Sequence, residues 1–195
     1  MRAARRLAAL CAALIITASL TGFGATQNAL GGGKEHFTAV AVDQGGGVTG
    51  RASTNQVDIV INRWTPQAER ERLLAALRKS PDELLRALQK EPAIGRISTP
   101  GSLAYDLRYA QQMPGEDGGR RIVLATDRPV GFWEASSGSR TLDYPLTRIE
   151  LHVDKDGNGE GKLSIAVRPI LNDNVLVLED YANLPVMLTN VHRAK

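Results

Sequence analysis

A chain of 195 residues, 43% hydrophobic and 23% charged, has the length of one domain plus an export segment. It carries enough apolar material for a core without a disulfide or metal staple, and its single cysteine, Cys11, excludes an internal disulfide framework. Of 24 basic residues, Arg2, Arg5 and Arg6 belong to the leader described next. Without them 21 face 21 acidic ones, so no net positive field remains to attract phosphates and no nucleic-acid partner is expected.

Residues 1–24 read as a signal peptide. The three arginines form a basic n-region, Leu7 to Leu20 form an apolar run, and Gly22 and Gly24 suit cleavage after Gly24. The alternative is an uncleaved leader acting as a membrane anchor, and the leader is the only expected route to a membrane. Leu10 before Cys11, and the short apolar stretch between Arg6 and Cys11, argue against lipid attachment. Cleavage would leave a mature protein without a thiol. The expected location is periplasmic or extracellular.

Residues 25–36, with Gly31 to Gly33, look like a flexible linker, and a single domain is expected over 37–195. "FTAVAV" (37–42) has strand character. "VDIVINRW" (57–64) is a stronger strand, with Val57, Ile59 and Ile61 on one face. Two helices follow. Thr65 is placed to cap the first, with Pro66 at its first position. Leu73, Leu74 and Leu77 make its apolar stripe, leaving Glu69, Arg70, Glu71 and Arg72 mainly on the wet side. Ser80 caps the second, with Pro81 in its first turn and Glu83 completing a capping box. Leu84, Leu85 and Leu88 face the core, and Pro92 stops the helix.

The remaining segments read as strands, 94–99, 104–110, 120–126, 146–153, 161–167, 174–182 and 185–191, with clear period-two alternation in 146–153 and 161–167. A turn is expected at 114–119, and the continuous apolar run Ile122 to Ala125 marks a central strand. The fold class is α+β: a curved, mostly antiparallel sheet of about seven to nine strands, with partial closure into a barrel as an open alternative and a two-helix insertion after the second strand.

"DKDGNGEG" (154–161) resembles a calcium loop. Asp154, Asp156, Asn158 and Gly159 match the first half of an EF-hand, but Ile165 stands where the bidentate glutamate belongs and the flanks alternate as strands. A polar hairpin turn is the expectation. In the alternative, Asp154, Asp156, Asn158 and Glu160 converge on calcium, the one cofactor considered; otherwise none is expected.

His36, His152 and His192 lack ligand spacing and read as surface or linker histidines. "SSGS" (136–139) has no nucleophile elbow around it. "GGGVTGR" (45–51) has phosphate-loop spacing but lacks the lysine and the helix. Asp106, Asp127, Glu134, Asp143 and Glu150 could serve acid–base chemistry if two met in a cleft. Phe132, Trp133 and Tyr144 cluster between two strong strands, as a ligand-binding loop or as a plug at one end of the sheet. Trp64 reads as core.

The segments "VDIVINRW", "RIVLATDRPVGFWEA" and "YPLTRIELHVDKDGNGEGKLS" resemble a group of short, signal-peptide-bearing bacterial proteins of unassigned function. The resemblance spans 37–192 and implies an exported single domain; it assigns no catalytic residue. The reading is therefore an exported, non-catalytic binding or envelope-associated module. The alternatives are a small carboxylate-dependent hydrolase and a calcium-stabilised extracytoplasmic domain.

Overall fold

A computed structural model describes residues 32–43, 53–115, 118–130, 146–172, 175–180 and 185–194. The described residues form nine strands: β1 (Glu35–Asp43), β2 (Ser53–Ile61), β3 (Gly95–Ser98), β4 (Tyr105–Pro114), β5 (Arg120–Thr126), β6 (Leu146–Val153), β7 (Asn158–Asn172), β8 (Val175–Asp180) and β9 (Val186–Arg193). Helices α1 (Gln67–Leu77) and α2 (Pro81–Lys90) lie between β2 and β3, where the sequence places them.

The sheet closes. β1 pairs with β2 on one side and β9 on the other, and β7 pairs with both β9 and β6. Eight strands thus form an antiparallel barrel in the order β1-β2-β3-β4-β5-β6-β7-β9. β8 stands outside the ring, paired to the C-terminal part of β7. The architecture is mostly β, a closed barrel carrying a helical pair.

Alternation explains which face is inside. Phe37, Ile59, Ile97, Leu107, Ile122 and Leu151 point inward and are fully buried in one contiguous core. Outward positions on the same wall carry Arg121, Glu150, His152 and Lys162. Apolar inside and charged outside is the reverse of a lipid-facing barrel. The Ile122–Ala125 run is apolar throughout because both faces are covered. Ile122 and Leu124 enter the core, while Val123 and Ala125 sit half-buried beside the helices.

β3 has only four residues, so β4 has no strand partner on that side beyond Leu107. Thr65 fills the gap. Its N–H donates to the Ala110 carbonyl and its Oγ1 accepts from the Ala110 N–H, both at 2.9 Å. Thr65 therefore does not cap α1; Pro66 occupies the N-cap and offers no side-chain bond. The expectation for α2 holds better. Ser80 Oγ accepts from the Glu83 N–H at 3.1 Å, while the Glu83 carboxylate turns to Arg86 rather than back to Ser80. Leu73, Leu88 and Leu146 form a second apolar cluster between the helices and the outer wall.

Candidate functional site: the cleft between the helices and the barrel wall

Several residues singled out from sequence lie outside the described residues: Phe132, Trp133, Glu134, Asp143 and Tyr144, with the 45–51 and 136–139 segments. The octet is described. β6 and β7 pair across it from Val153↔Gly159 to Arg148↔Ser164, so its flanks are strands joined by a turn. Asp154 Oδ1 accepts the backbone N–H groups of Asp156 (2.8 Å) and Asn158 (2.9 Å), and these bonds hold its carboxyl below the usual range. Asn158 Oδ1 meets His192 Nδ1 at 2.8 Å, and Glu160 faces His152 on the neighbouring strand. Among the described residues no three His, Cys, Asp or Glu side chains gather as a metal site.

His36, expected in the linker, stands in β1 with Nε2 3.1 Å from Asp58. Asp106 and Asp127 do converge, but on Arg108, at 3.1 and 3.2 Å. Glu150 sits among Arg121, Arg148 and His152. Burial alone would raise its carboxyl; hydrogen bonds from Arg121 and His152, with the charges of both arginines, outweigh it and hold the group at about 2. An acid catalyst needs the opposite displacement.

The concave apolar surface lies elsewhere. Leu73, Leu77, Leu84 and Leu88 from the helices face Val123, Ala125 and Leu146 of the barrel across a cleft of about 420 Å³, closed at one side by Pro169 of β7. That volume is in the range of small-molecule sites, about 300–1,000 Å³. Among the described residues its polar groups are Arg70, Tyr109 and Gln111, with Arg121, Thr147 and Arg148 at the wall. Tyr109 donates its hydroxyl to Gln111 Oε1 at 2.5 Å. Burial pushes the Tyr109 phenol up, and the Arg70 charge works against that rise.

Arg70 is the departure from sequence reasoning. It is 9% exposed, not on the wet side. Its Nη2 donates to Gln67 Oε1, while Nη1 is covered and has no hydrogen-bond partner. The signal was present: positions 70, 73 and 77 share one helix face, whereas Leu74, assigned to the stripe, is 52% exposed. Trp64 packs against the main core as expected, with its Nε1 also unpartnered.

No family model matches this chain, and no curated protein or solved structure shows significant similarity to it.

Proposed function

We propose that the protein is an exported, non-catalytic binding module whose ligand site is the cleft between the helical pair and the outer wall of the barrel. The single observation that carries this reading is the cleft itself: an apolar concavity of about 420 Å³ with a small set of polar groups. Export rests on the leader at residues 1–24. The barrel interior is filled by packed side chains, and the outer cleft is more apolar than the recess lined by Arg120, Asp154 and Glu160 at the barrel surface.

Titration of the purified protein with a neutral naphthylamine dye tests the reading. Saturable fluorescence enhancement is expected, and Ala125→Trp, which fills the cleft from the barrel side, abolishes it while the circular dichroism spectrum is retained. Dye binding that ignores Ala125→Trp, or no binding at all, overturns the assignment.

A further inference from the structure

The cleft's chemistry narrows its ligand, given the reading that the cleft is the binding site. Among the described residues, three arginines line it and no carboxylate does. Two of the three, Arg121 and Arg148, share Glu150. The third, Arg70, has only the neutral Gln67 amide on Nη2 and nothing on Nη1. Neighbouring acids on α1 are engaged elsewhere: Glu69 with Arg63, and Glu71 with the Gln67 amide nitrogen. A guanidinium cannot lose its proton in a protein, so Arg70 remains a nine-tenths buried cation with an unmet donor. Burying such a cation without a counter-charge is unfavourable, and an anionic group in the adjoining cleft supplies one.

The rest of the lining asks for hydrocarbon. Leu73, Leu77, Leu84 and Leu88 offer no polar atoms, and each methylene placed among them leaves water. We propose that the cleft binds a fatty carboxylate, its alkyl tail along the leucines and its head at the Arg70 guanidinium, beside Tyr109 and Gln111. A neutral chain would leave the charge uncompensated, and a cationic head would be repelled.

Isothermal titration calorimetry at neutral pH with decanoate, decanol and decyl phosphate separates the possibilities. Decanoate is expected to bind about tenfold or more tightly than decanol. Arg70→Met, which keeps an unbranched apolar stem at that position, is expected to erase that advantage without weakening decanol. Decyl phosphate binding more tightly than decanoate, with the gain lost in Arg70→Met, would name a phosphate head and overturn the carboxylate. Decanol binding as well as decanoate overturns the anionic head, while the cleft stands if Ala125→Trp abolishes both. If no chain binds, or Ala125→Trp changes nothing, the cleft reading falls as well. Should Arg70→Met fail to fold, the head-group comparison on the unaltered protein still decides.

Discussion

Arg120 and Glu35 meet across the barrel interior, Nη1 to Oε1 and Nη2 to Oε2, both at 2.8 Å. They come from β5 and β1, which stand opposite each other in the ring. Gln112 Oε1 takes a further bond from Nη1 at 2.8 Å. Both charged side chains are about nine-tenths buried, below a core that is otherwise apolar at the level of Phe37 and Ile122. The two-toothed geometry meets the condition under which a desolvated pair is tolerated.

Removing Glu35 takes away the carboxylate that meets both terminal nitrogens of the buried Arg120. Glu35→Leu is expected to lower unfolding free energy by ~3–5 kcal/mol in urea titration. The double variant Glu35→Leu with Arg120→Met is expected to recover most of the loss, since an apolar replacement of similar volume removes both desolvation penalties. A double variant as unstable as the sum of the singles would show that the pair does not act as a unit.

Glu150 gives the protein an acid-sensitive contribution to stability. Arg121 on β5, Lys162 on β7, and Arg148 and His152 on β6 surround it, and its carboxyl titrates at about 2 instead of 4.5. A depressed folded value means that the stabilisation is complete above about 4.5 and fades as pH falls toward 2. Glu150→Gln is expected to be less stable than the unaltered protein by ~1–2 kcal/mol at neutral pH, allowing for partial solvent screening. The two melting curves should converge near the bottom of that window. A gap that persists unchanged there would place the effect in packing rather than charge.

Thr65 is a wall element, and the substitution that tests this is isosteric. Thr65→Val keeps the volume but removes the acceptor for the buried Ala110 N–H, with an expected loss of ~1–3 kcal/mol. Thr65→Ser should retain most of the stability. If the valine variant melts with the unaltered protein, the gap beside β4 is closed by something other than this hydroxyl.

Period-two alternation made 146–153 legible as β6 and a continuous apolar run made 120–126 legible as β5, and the helical pair follows β2. Closure was harder to see, because it depends on β7 pairing with two strands at once, and no local pattern encodes a second partner. Thr65 misled for a related reason. A threonine before Pro66 is a good cap in isolation, but a buried N–H on β4 competes for the same oxygen. Arg70 was misplaced because charge was weighed above helix phase, although it lies in register with Leu73 and Leu77. The cleft could not be read at all, since it forms only where a helical pair meets a wall distant in sequence.

The octet between β6 and β7 tests how far acidic composition can stand for metal binding. Asp154 turns Oδ1 onto two backbone N–H groups, and Gly157 supplies the positive φ of 87° that closes the turn. A Cβ at Gly157 would lie 2.5 Å from that of Arg193, so Gly157→Ala should cost ~1–3 kcal/mol from backbone strain, with the Arg193 contact adding to it. Asp154→Ala should lower the melting temperature and Asp156→Ala should leave it nearly unchanged, because only the first carboxylate holds the turn. Millimolar calcium should not move the melting temperature of the unaltered protein. A ligand that binds only the folded state must raise it. A calcium-dependent rise that vanishes in both Asp154→Ala and Asp156→Ala would convert the turn into a metal loop, with Asn158 and Glu160 as the remaining side-chain oxygens.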